Sequence, residues 1–165
     1  IIETEHFFGG LKDLETGQRG FLLTGKNNYL EPYYSGIDDT MKSFKMLKRL
    51  TIDNEKQQNR LNSIQGFMDL KFKELERTIT LANSNKREEA LNIVNEDVGK
   101  KYMDNIRQIL NQFIFTEKVL LEQRKGDFRE NRAKITTFML IEITFFIFLA
   151  ILTLLFIYKN LFSPL

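Results

Sequence analysis

Apolar residues recur along most of this chain at steps of three and four, and then, for one stretch, at almost every position. Phe7, Leu11, Leu14, Gln18, Phe21 and Gly25 step by four, three, four, three and four, which describes one buried stripe on a helix with a polar residue, Gln18, set into it. Leu30, Tyr33, Ile37, Met41, Phe44 and Leu47 predict a second helix ending near Ile52. Leu61, Ile64, Met68, Phe72, Leu75 and Ile79 predict a third. A short helix through Val94 and a last one carrying Met103, Ile106, Leu110, Phe113 and Leu120 complete the pattern. The connections are short, so successive helices are expected to run antiparallel. The expected fold is all-α: an elongated antiparallel four-helix bundle whose last helix continues into a membrane.

Turn chemistry punctuates these stripes. Gly25 is placed to end the first helix. Asn28 with Glu31 reads as a capping box for the second helix, and Pro32 falls in its first turn, where a missing N–H is harmless. Asp53 is expected to cap the third helix, and Asn85 with Glu88 forms another capping-box pattern after the turn Asn83, Ser84 and Asn85. Gly99 is expected to separate the short helix from the last. Gly17 and Gly20, each costing about 1 kcal/mol relative to Ala inside a helix, make sense where another backbone must come close. Glu15 precedes Arg19 by four residues, the favourable order for a pair along a helix surface.

The residues from Ile135 to Tyr158 carry one charge, Glu142. A helix of that length reaches about 36 Å, enough to cross a bilayer core of roughly 30 Å with some tilt. The 134 residues before it offer too little interior to surround so long an all-round apolar helix, so the stretch is expected to span a membrane, in contact with lipid. Glu142 lies about 10 Å inside the span. It either faces a partner helix as an intramembrane functional residue, or is an interfacial or protonated carboxyl that reaches back to water.

Composition narrows the chemistry. Cysteine is absent, which excludes disulfides, thiolate catalysis and thiolate metal sites. The net charge of +2 gives no reason to expect nucleic acid as a partner. The segment GFLLTGKN, residues 20 to 27, nearly fits a phosphate-binding loop, but Asn27 replaces the hydroxyl residue and no strand precedes it. Glu3 and His6 make one Glu-x-x-His, half of what a bundle di-metal site needs, and His6 is the only histidine. No nucleophile, base and orienting group occur together, so the segment is read as non-catalytic, without cofactor or metal.

The run ETGQRGFLLTG, residues 15 to 25, followed by YLEPY, residues 29 to 33, closely resembles the signature of the type-three CHASE domain, a sensory module of bacterial histidine kinases and related receptors. REEALNIV, residues 87 to 94, and GKKYMDNIR, residues 99 to 107, extend the resemblance more weakly, over residues 1 to 134. The resemblance implies a helical sensor outside the cytoplasm, held between two transmembrane helices in a homodimer, with no catalytic residues of its own. Residues 1–134 are accordingly expected outside the cytoplasm, 135–158 in the bacterial cell membrane, and 159–165 at the start of a cytoplasmic juxtamembrane segment leading to a signalling module beyond Leu165. Ile1 and Ile2 are read as the end of an earlier span. Lys125, Arg129, Arg132 and Lys134 precede the span and only Lys159 follows, so a simple positive-inside count points the other way; long domains translocate largely regardless of charge. Other outcomes are a chemotaxis or cyclase receptor sensor, or a membrane-anchored scaffold that does not signal. Glu15, Gly17, Gln18, Arg19, Gly20, Gly25 and Pro32 are expected to act as architecture. For Glu15, Gln18 and Arg19 a ligand-contacting role is the competing reading, and the resemblance favours a hydrogen-bonded brace. The stimulus is left unassigned.

Overall fold

The computed structural model describes residues 2–162. The residue Ile1 and the last part of the expected juxtamembrane segment, residues 163–165, lie outside the described residues. Helix α1 is Ile2–Thr24, α2 Glu31–Leu50, α3 Glu55–Asn83, α4 Arg87–Asn95 and α5 Val98–Phe162, with a 3-10 turn at Asn27–Leu30 ahead of α2. Two compact units are distinguished, Ile1–Glu117 and Lys118–Leu165.

In the first unit the periodic stripes meet in one core. Phe7, Leu11 and Leu14 of α1, Phe44 and Leu47 of α2, Leu61, Ile64 and Met68 of α3, and Ile106 and Phe113 of α5 are all buried together. Each such side chain contributes about 1.5–3 kcal/mol relative to exposure. The pairings give the helix directions. Gly10 lies against Thr40 and Gly36, and Gly17 against Tyr33, so α1 and α2 are antiparallel. Lys48 of α2 donates to Gln65 of α3 while Gln58 of α3 donates to Thr51 at the end of α2, and Gln57 of α3 donates to the carbonyl of Phe113 in α5 while Phe67 meets Tyr102; both pairs are antiparallel. The Arg107 guanidinium stands 5.2 Å over the Phe8 ring, tying α5 back to α1. This is an all-α four-helix bundle with α1 and α3 parallel. The short α4 closes the far end, where Ala90 packs with Phe21, Leu22, Leu30 and Ile79 in a second cluster.

Several local expectations give way to tertiary packing. The second stripe does not bury Met41, which is 48% exposed. The buried face of α2 instead runs through Gly36, Thr40 and Ser43. These small residues let the α1 and α2 backbones approach: a Cβ on Gly36 would stand 2.7 Å from the Gly10 carbonyl oxygen. Asn28 does not cap α2. The 3-10 turn uses the Glu31 N–H to bond the Asn28 carbonyl, and Leu30, held by burial, takes the N-cap position without a side-chain bond. Asn54 rather than Asp53 caps α3, because the Asn54 N–H closes a turn onto the Thr51 carbonyl and leaves Asp53 inside it; the Asn54 side chain accepts from the Gln57 N–H at 3.2 Å. Asn85 does not cap α4 either. It adopts φ 60° and serves the end of α3, where the Lys86 N–H returns to the Leu81 carbonyl. Gly99 is not the break before the last helix: Asp97, at φ 57°, makes the turn, and Gly99 lies in the first turn of α5.

Candidate functional site

Midway along α1, the side chains of Glu15, Gln18 and Arg19 sit on adjacent faces of one turn. Gln18 continues the apolar stripe and is buried, so its amide needs a partner. It finds one on α3: Gln18 Nε2 donates to Thr78 Oγ1 at 2.8 Å, and the Thr78 hydroxyl donates to the Leu75 carbonyl. Arg19 turns outward and pairs with Glu15 at 2.8 Å. Glu15 also reaches 3.5 Å to the ammonium of Lys71, whose side chain is only 3% exposed and which donates to Glu74 Oε2 at 2.8 Å. The bundle thus holds a chain of alternating charges, Arg19, Glu15, Lys71 and Glu74, with its centre buried. An unpaired ammonium there would be costly, and the two carboxylates supply the compensation.

The first turn of α5 reaches this cluster. A Cβ on Gly99 would stand 2.6 Å from Glu74 Oε2 and 2.7 Å from Lys71 Nζ, so a larger residue there would push the ends of these two side chains aside. Between α1, α3 and the α4–α5 junction a cavity of about 290 Å³ remains, bordered by Glu15, Lys71, Asp97 and Lys100. Lys100 donates a hydrogen bond to Asp104 that, with the nearby carboxylate charge, raises its pKa above the ordinary lysine value, so the side chain stays cationic beside the cavity. No serine, cysteine or histidine borders the cavity among the described residues.

Comparison with known proteins places this architecture. Residues 1–127 match the family model of the CHASE3 domain. The chain belongs to the CHASE3 domain family. The crystal structure of the Rhodopseudomonas palustris histidine kinase HK9 sensor domain superposes with a TM-score of 0.69 at 24% identity, covering 74% of this chain and 95% of that one, and so shares the fold. No curated protein matches the chain. The CHASE3 domain is here a receptor sensor domain, joined through α5 to one apolar helical stretch long enough to cross a membrane.

Of the other residues singled out in the sequence, Gly17 and Gly20 of the CHASE3 domain lie where α1 meets the turn and α2. A Cβ on Gly17 would stand 2.6 Å from the Tyr33 backbone nitrogen, and one on Gly20 would stand 2.7 Å from the Tyr29 ring. Gly25 takes φ 69° and its N–H donates to the Phe21 carbonyl; Pro32 stands in the first turn of α2. Neither joins the charged cluster. The near phosphate loop is the hydrogen-bonded end of α1: Thr24 Oγ1 donates to the Gly20 carbonyl and accepts from the Lys26 N–H. Glu3 and His6 line a separate cleft of about 580 Å³ between α1 and α2, beside Asp39 and Lys42, and among the described residues no three potential ligands are grouped to hold a metal. Glu142 is exposed on α5 in the second unit. Sequence reasoning missed Lys71, Glu74, Asp97 and Lys100. Lys71 left a signal: it falls between Met68 and Leu75 on the buried stripe of α3, the same anomaly that drew notice to Gln18 on α1.

Proposed function

We propose that this chain is the signal-input part of a transmembrane histidine kinase: residues 1–134 sense a stimulus outside the cytoplasm, residues 135–158 cross the bacterial membrane as the second transmembrane helix, and residues 159–165 lead toward a cytoplasmic module. The stimulus biases two packings of the bundle, and α5 relays the difference as a displacement of about 1–2 Å or a small rotation. One observation carries this reading. α5 is a single helix from Val98, whose first turn lies against the charged cluster, to Phe162. Gly126 does not interrupt it, and no proline lies within it. The receptor acts as a homodimer, with Glu142 directed toward the partner's span; the substitution Glu142→Gln is then expected to reduce crosslinking between cysteines introduced along the span.

The test is insertion of one, two or three residues after Gly126 in the full-length receptor. Each residue turns the following helix by about 100°, so output should rise and fall with the insertion length. Equal signalling from all three variants would overturn rigid coupling. A cysteine introduced near Asn85 is expected to react with an impermeant reagent from outside the cell, and protection from it would reverse the orientation.

A further inference from the structure

We propose that the cavity between α1, α3 and the α4–α5 junction binds a small zwitterion of amino-acid size, its acid group held by Lys71, Arg19 and Lys100 and its ammonium by Glu15 and Asp97. This rests on the sensor reading above and gives that sensor a class of ligand.

The argument begins at Lys71. Its ammonium has three donors, yet among the described residues it makes one hydrogen bond, to Glu74, and one longer ion pair, to Glu15. Its side chain is 3% exposed and faces a cavity, so the remaining N–H groups point where bulk water has little access. An acid group entering the cavity would satisfy them through charge-assisted bonds. A simple anion, however, would also meet Glu15, Glu74 and Asp97, which border the same space. Three carboxylates stand against three cations, Lys71, Arg19 and Lys100, so the lining favours a guest that presents both signs at once. The volume of about 290 Å³ lies at the small end of ligand sites and suits a molecule the size of an amino acid. The two outer cations are free to turn toward it. Arg19 is tied to Glu15 and Lys100 to Asp104 by pairs within their own helices, with both cations more than half exposed, and such surface pairs exchange at little cost.

The position suits signalling as well. Asp97 holds a left-handed backbone, which short polar residues such as Asp and Asn adopt in tight turns, and it immediately precedes α5. A guest spanning Arg19 and Asp97 therefore bears on the start of the helix that leads toward the membrane.

The experiment uses the full chain in lipid nanodiscs, probed with the twenty protein amino acids and 4-aminobutyrate, and with butyrate and butylamine as singly charged controls. At least one zwitterion should bind saturably and raise Tm, while butyrate and butylamine do neither. Asp97→Asn, which tolerates the left-handed backbone, and Arg19→Gln should each weaken that binding by about tenfold or more while leaving the unliganded Tm nearly unchanged. A response to no zwitterion, an equal response to butyrate or butylamine, or binding untouched by both substitutions overturns the proposal. If no zwitterion binds but insertions after Gly126 still rephase output, the site falls and the sensor reading stands. If a zwitterion binds without changing output in the full-length receptor, the site stands and the sensor reading falls.

Discussion

In Ile1–Glu117 the side chains of Phe7, Leu11 and Ile106 are fully buried, whereas in Lys118–Leu165 those of Phe138, Leu154 and Phe156 are 67–69% exposed. The residues are of the same kind, and their spacing is what differs. In the first region apolar residues take one face of each helix and helices exclude water from one another; in the second, from Ile135 to Tyr158, they cover the whole circumference, a pattern that suits a helix long and apolar enough to cross a membrane. The consequence is that the first region depends on close contact and compensated charge, and the second on the identity of its solvent.

The largest expected effect follows from compensated charge. Lys71→Ala removes the cation between Glu15 and Glu74 and should lower the stability of the full chain by about 3 kcal/mol in reversible denaturant unfolding. Lys125 of the second region, whose side chain is 51% exposed, pairs with Glu122 at 2.8 Å, a shorter distance than Lys71 keeps to Glu15. Lys125→Ala should nonetheless leave stability almost unchanged, because water already screens that pair. Comparable losses for the two variants would break the comparison. Combining Lys71→Met with Glu74→Leu should recover most of the loss, since a buried pair replaced by apolar groups is often neutral.

Next in size is the contrast between glycines. Gly17→Ala places a Cβ 2.6 Å from a backbone nitrogen, which cannot swing aside, and should cost about 2 kcal/mol, or roughly 8 °C in Tm. Gly126 has nothing within 4 Å of its added Cβ, so Gly126→Ala should stabilise the helix by about 0.5–1 kcal/mol. A destabilising Gly126→Ala would reveal a close neighbour on that part of α5.

The same division explains what could be read in advance. Helix stripes were legible because burial against a common core imposes the 3.6-residue period directly on residue choice. Caps were less so. Asn28 and Asn85 carry genuine capping chemistry, but Leu30 is fixed by burial and Asn85 is used in a left-handed turn, and neither constraint is visible locally. One part of the site, Glu15, Gln18 and Arg19, stood out because it lies in one turn of one helix. Lys71 and Asp97 come from 52 and 78 residues after Arg19, and only the antiparallel pairing of α3 with α5 and the parallel run of α1 with α3 bring them to it.

The smallest expected effect concerns exposed carboxylates, where the two regions should agree. The hydrogen bond from Lys100, reinforced by its charge and by Arg107, holds the Asp104 carboxyl below its ordinary pKa. In the second region the hydrogen bond from Lys125, with its charge, does the same to Glu122, outside the expected span. A carboxyl whose pKa is lowered by folding adds stability above its unfolded pKa, and that contribution is lost as pH falls through the folded value. Both groups are solvent-exposed, so Tm should move little, and the effect is best read by NMR titration. Both carboxyls should titrate below their reference values, rise toward them after Lys100→Gln or Lys125→Gln respectively, and rise likewise in 1 M salt. A Glu122 that keeps its lowered pKa in high salt while Asp104 loses it would mean that water is excluded around residue 122, and that the lipid-like environment of the second region begins well before Ile135.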